Sequence, residues 1–153
     1  MDSKLERLLA ATKQKLYPVP PGTFRWRFNT EPAWIEATTA SLQRIRFNGR
    51  DFWAWNASTG SNNTGDIFLY DFTLDYIDEN IFDKTFNLGE QGLTFTHCYM
   101  TSDGHFKCID ALSAKVSIKL DPKDGISTGD FEATFSPEFE SPNGVFNLTR
   151  QTS

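Results

Sequence analysis

Arg44, Arg46, Trp53 and Trp55 are the residues of this sequence whose types and spacing best suit work at a surface. Indoles stack on sugar rings or partner side chains, and guanidinium groups supply directed donors, so the chemistry they imply is recognition rather than bond-making. All four lie in Arg44-Ile45-Arg46-Phe47-Asn48-Gly49-Arg50-Asp51-Phe52-Trp53-Ala54-Trp55, two alternating runs joined by Asn-Gly. Asn-Gly supplies the two positive φ angles of a type I′ turn, which fixes the pairing register. Phe47 then opposes Arg50, Arg46 opposes Asp51, Ile45 opposes Phe52, Arg44 opposes Trp53 and Leu42 opposes Trp55. The face carrying Ile45, Phe47, Phe52 and Ala54 reads as core. The opposite face carries Leu42, Arg44, Arg46, Asp51, Trp53 and Trp55, and is nominated for ligand or partner binding. Two alternatives compete there: an internal pairing of Arg44 with Trp53, and burial of Trp55 with Leu42 beneath the N-terminal helix.

Cys98 and Cys108 flank an Asp103-Gly104 turn. A three-residue loop with left-handed Gly104 pairs Thr101 with His105 and sets the cysteines opposite each other. A cross-strand disulfide is then within reach. Without an export signal, two buried thiols are the expected state, as is usual inside cells. His97 and His105 share this hairpin, but His97 neighbours Cys98 and points to the other face, so no tetrahedral cage closes and no metal is expected. The carboxylates Asp75, Asp78, Glu79 and Asp83, and again Asp121, Asp124 and Asp130, read as solvated acidic loops, without the calcium-loop spacing. No nucleophile elbow, phosphate loop, dinucleotide fingerprint or His-Glu-x-x-His helix is present in the sequence. The chain is therefore expected to be non-catalytic and to need no cofactor. The competing enzyme reading places His97, Tyr99 and an acidic residue in a cavity inside a barrel. A structural assembly subunit is a third reading.

The elements that position these residues are mostly strands. Residues 3 to 16 carry a capping box, Ser3 with Glu6, and a stripe of Leu5, Leu8, Leu9, Thr12 and Leu16, which predicts a helix. Pro18, Pro20, Pro21 and Gly22 follow as a stiff connector. So short a helix must dock: on the Trp53/Trp55 face, on an open sheet edge, or on another protein. From residue 24 the period is two, with strands expected at Phe24–Phe28, in the Asn-Gly hairpin, and at Ile67–Tyr76. More follow around residues 84–87, 93–101, 105–109, 114–120, 129–136 and 145–149. Residues 57–66 read as a polar loop, and 31–41 as strand or helical turn. About nine short strands with turn residues at this spacing predict an antiparallel β-sandwich. The domain boundaries are residues 1–22 for helix and connector, and 23–153 for one β-sandwich.

From residue 41 to 149 the order of elements resembles the small all-β domains of undetermined function found in bacterial surface lipoproteins. The resemblance is carried by the Asn48-Gly49 hairpin, Phe86-Asn87-Leu88-Gly89, Ile126-Ser127-Thr128-Gly129-Asp130-Phe131-Glu132-Ala133-Thr134-Phe135 and the closing Asn143-Gly144-Val145-Phe146. It implies a sandwich fold and assigns no functional residues. No lipidation cysteine precedes the domain, and the start lacks the apolar core of a signal peptide, so an intracellular location is expected.

Composition bounds the rest. At 153 residues, with 39% apolar and 14% aromatic content, the chain suits one domain with a sheet-rich core. A net charge of −5 argues against a nucleic-acid partner, and no apolar stretch approaches a membrane span. The expected partner is a protein or a glycan.

Overall fold

The computed structural model describes residues 17–29, 31–60, 68–137 and 139–151. The helix expected over residues 3 to 16 lies outside them. Among the described residues eleven strands build two antiparallel sheets: β1 (Phe24–Phe28), β2 (Ile35–Glu36), β3 (Thr39–Phe47), β4 (Arg50–Thr59), β5 (Phe68–Asp75), β6 (Phe82–Asn87), β7 (Thr94–Met100), β8 (Phe106–Asp110), β9 (Ser113–Asp121), β10 (Ile126–Thr134) and β11 (Pro142–Thr149). The six-stranded sheet runs β2-β1-β11-β10-β9-β6, and the five-stranded sheet runs β3-β4-β5-β7-β8. The ambiguous stretch near residue 35 is the short strand β2. Ala57, Ser58 and Thr59, expected in a loop, complete β4, while residues 61–66 lie outside the described chain.

Alternation explains how the sheets face each other. Phe24 and Trp26 of β1, Phe131 of β10 and Phe146 of β11 point inward from one sheet; Trp53, Trp55, Tyr70, Phe72 and Phe95 point inward from the other. Aromatic rings fill the interior: Phe72 stacks on Trp55 at 5.2 Å and on Phe95 at 5.5 Å. The ring-rich core leaves little room where strands approach. A Cβ added to Gly144 of β11 would stand 2.4 Å from the Arg25 carbonyl oxygen, so this inward position requires glycine.

The Asn48-Gly49 turn has the two positive φ angles expected, 53° and 76°, and the register from Phe47–Arg50 to Leu42–Trp55 is as read from the sequence. The facing is reversed. Trp53 and Trp55 lie in the sandwich interior at 1% and 0% exposure, covered by the six-stranded sheet. That sheet leaves no place for a helix on the Trp53/Trp55 face. Phe52 and Ala54 point to the opposite side, where they too are buried.

The second hairpin pairs Cys98 with Cys108, with Gly104 left-handed at φ 84° and the Thr101 amide donating to the His105 carbonyl at 2.7 Å. The cysteines are joined as a disulfide, not held as thiols. The expectation of thiols came from compartment alone; direct opposition on neighbouring strands makes the bond geometrically ready. Replacing both with alanine should cost roughly 2–3 kcal/mol, the loop-closure term for so short a ring. A lowered denaturant midpoint, with a slope no shallower than that of the crosslinked chain, checks this.

Candidate recognition surface

The four nominated residues do not form one surface. Trp53 and Trp55 are core, and the Trp55 indole donates across the sandwich to Ser127 Oγ at 3.1 Å. Arg44 and Arg46 stand at the hairpin tip beyond the core, neutralised by their neighbours. Arg44 Nη2 meets Asp51 Oδ2 at 2.6 Å, and Arg46 Nη1 lies 3.7 Å from Asp51 Oδ1. The hydrogen bond from Arg44 holds the Asp51 carboxyl below its ordinary range. The anticipated pairing of Arg44 with Trp53 is replaced by two others: Arg44 lies over Tyr76 at 3.8 Å, and Arg150 lies over Trp53 at 4.8 Å. Arg150 also binds Glu79 at 2.6 Å. Glu79's carboxyl is lowered first by the Tyr76 hydroxyl and then by Arg150. This network ties the end of the described chain to the five-stranded sheet.

His97 points inward among Phe68, Tyr70, Tyr99, Phe135 and Phe139, with ring centroids 4.3 to 5.9 Å away. Burial lowers its pKa to about 4, so it is neutral at physiological pH. Among the described residues no group of three metal-ligating side chains converges.

The surface with free polar chemistry is the outer face of the six-stranded sheet. With Phe24, Trp26 and Phe28 turned inward, period two turns Arg25 and Arg27 outward. Register then builds two rows across four strands: Arg27, Asn143, Glu132, Lys115, and beside it Arg25, Val145, Asp130, Ser117. Trp34, just before β2, lies against both arginines, with the guanidinium carbons 4.5 and 4.7 Å from its ring centre. Arg27 is oriented further by donating from Nε to Asn143 Oδ1 at 3.4 Å, and Asn143 donates to Asn29 Oδ1 at 2.9 Å. Among the described residues neither arginine, nor Asp130, Glu132 or Lys115, forms an ion pair. Arg27, Trp34, Asn143, Glu132, Asp130 and Lys115 line one groove of about 600 Å³.

This groove presents donors (Arg27, Lys115), acceptors (Asp130, Glu132) and amphoteric groups (Asn143, Ser117) in alternation. A hydroxyl both donates and accepts, so vicinal hydroxyls match such a set. Val145 adds apolar surface beside them, while the Trp34 ring is engaged by the two arginines. Sequence reading missed this site because Trp34 lay in the one stretch left ambiguous. The signal was present: Arg25 and Arg27 share a face by period two, and Trp34 is the one tryptophan outside an alternating run. No protein-family model, no curated protein and no solved structure matches the chain.

Proposed function

We propose that the chain is a non-catalytic recognition module that holds a glycan in the groove on the outer face of its six-stranded sheet. The observation that carries this reading is the pair of guanidinium groups held over Trp34, free of ion pairs among the described residues, with Arg27 in a groove that Asp130 and Glu132 also line. Contact with Trp34 holds both guanidinium groups near the ring before a ligand arrives, which lowers the ordering cost of binding. The carboxylates across the groove accept from hydroxyls on the far side of the same ring.

The test is binding of the purified full chain to a glycan array, followed by calorimetry on the best ligand. Trp34→Ala and Arg27→Ala should each weaken binding on the order of ten-fold or more, since a stacked cationic contact is worth about 1–2 kcal/mol, with the melting transition nearly unchanged. Silence across the array, or binding indifferent to both substitutions, overturns the glycan reading.

A protein partner is the second reading, favoured by one observation. Ile81 and Ile126 are 59% and 49% exposed and line a separate groove of about 280 Å³ at the end of the same face. A stoichiometric protein that co-purifies with the wild type, and is lost in Ile126→Glu, would establish that reading instead.

A further inference from the structure

The charged groove has a neighbour on the same outer face of the six-stranded sheet. This second groove, of about 380 Å³, is lined in part by Asn29, Asn87, Ser113 and Thr134. Register places the two side by side. Thr134 pairs with Ser113 one two-residue step beyond the pair Glu132–Lys115, and Asp130 pairs with Ser117 one step before it. Among the described residues only Glu132 and Lys115 line both grooves. They stand directly opposite each other on β10 and β9, yet among the described residues they form no ion pair. The pair is thus a ridge of two uncommitted charges between two troughs.

Away from that ridge the second trough is neutral. Ser113 Oγ and Thr134 Oγ1 share one hydrogen bond at 2.6 Å, which leaves a hydroxyl proton and lone pairs for a ligand. Asn29 accepts from Asn143 with Oδ1, so its amide NH2 remains to donate. Asn87 donates from Nδ2 to Glu90 at 2.7 Å, so its Oδ1 remains to accept. Donor, acceptor and hydroxyls without charge suit an uncharged polyhydroxylated ring. The spacing fits as well. Antiparallel strands rise ~3.4 Å per residue, so a two-residue step carries a ligand about 7 Å from one trough to the next. That is the reach of one sugar ring with its linking oxygen. A linking oxygen has lone pairs and no proton, so Lys115 is the ridge group that donates to it, while Glu132 accepts from a hydroxyl beside it.

Taking the first groove to hold a glycan, we propose that the ligand is an oligosaccharide of at least two rings laid along the strands. Its linkage crosses the ridge of Glu132 and Lys115, and its second, uncharged ring sits between Asn29, Asn87, Ser113 and Thr134. A single ring fills one trough and leaves the other to water.

The experiment is calorimetry on the full chain with matched probes: glucose against cellobiose and maltose, N-acetylglucosamine against chitobiose, galactose against galactobiose, and mannose against mannobiose. In at least one pair the disaccharide should bind about ten-fold tighter or more, the effect of one or two neutral hydrogen bonds. Ser113→Ala combined with Thr134→Val should bring that ratio close to one; both positions are exposed, so the fold is not at stake. Equal affinity for both members of every pair that binds the wild type overturns the proposal and leaves the glycan reading standing. A ratio that survives the double substitution overturns it too. No binding by any probe overturns it as well, and silence across the glycan array removes the glycan reading with it.

Discussion

Replacing Trp53 and Trp55 together with alanine abolishes the cooperative melting transition of this protein. Both indoles are fully enclosed between the sheets, and Trp55 stacks on Phe72 while its N–H reaches Ser127 on the opposite sheet. Each truncation costs roughly 3–5 kcal/mol in lost burial and residual cavity. Removing Trp55 also leaves the buried Ser127 hydroxyl without its donor, a further penalty of about 1–3 kcal/mol. Domains of this size hold a net stability of only about 5–15 kcal/mol. The two sites stand two residues apart and share a cavity, so their losses are coupled. Far-UV circular dichroism on heating checks this directly; a double variant that melts within a few degrees of the wild type would show that these rings are not core.

The second large effect is a dependence of stability on pH that passes through Asp71. Burial raises its carboxyl to about 8 from an ordinary 3.8, with no charged group contributing. Below pH 3.8 the folded and unfolded states both hold the proton and the residue costs nothing. Between 3.8 and 8 the unfolded chain is ionised while the folded one keeps its proton, so stability falls as pH rises, by about 1.4 kcal/mol per unit. Above 8 the loss is complete. His97 acts in the opposite sense: its folded value near 4 lies below the ordinary 6.5, so stability falls as pH drops through that interval. The two slopes cancel between about pH 4 and 6.5. Above 6.5 Asp71 acts alone, and stability drops toward pH 8. Asp71→Asn should remove that alkaline fall, leaving a rise up to pH 6.5 and a plateau beyond it. Chemical denaturation at pH 6 and pH 8 separates the cases; identical changes in wild type and variant would show that Asp71 does not titrate in this range. At the acid end, Glu79 and Asp51 have lowered values, so their contributions are present above the ordinary carboxylate range and lost below it.

These two results turn on what alternation can and cannot say. The Asn48-Gly49 hairpin was legible to the residue because turn chemistry dictates register locally. Its facing was not legible, because β4 is apolar on both sides: Trp53 and Trp55 one way, Phe52 and Ala54 the other. Period two identifies two faces, and both are buried here. The arginines misled for a related reason. Arg44 and Arg46 share the tryptophans' face but are exposed toward the hairpin tip, so one strand side is core at one end and rim at the other. The cysteine register followed from the Asp103-Gly104 turn, whereas the redox state had been inferred from location. Trp34 escaped notice because no strand pattern surrounds it, and its role depends on Arg25 and Arg27 of β1, a neighbour set only by the fold.

The first and last described residues both hold on to β3. Tyr17 accepts from Ala40, and Gln151 donates from its amide to the Leu42 carbonyl at 2.8 Å, two residues along the same edge. Entry and exit of the folded unit therefore adjoin. Joining position 151 to position 17 and reopening the chain at Asn48-Gly49 keeps every other strand connection among the described residues, at the cost of residues 1–16.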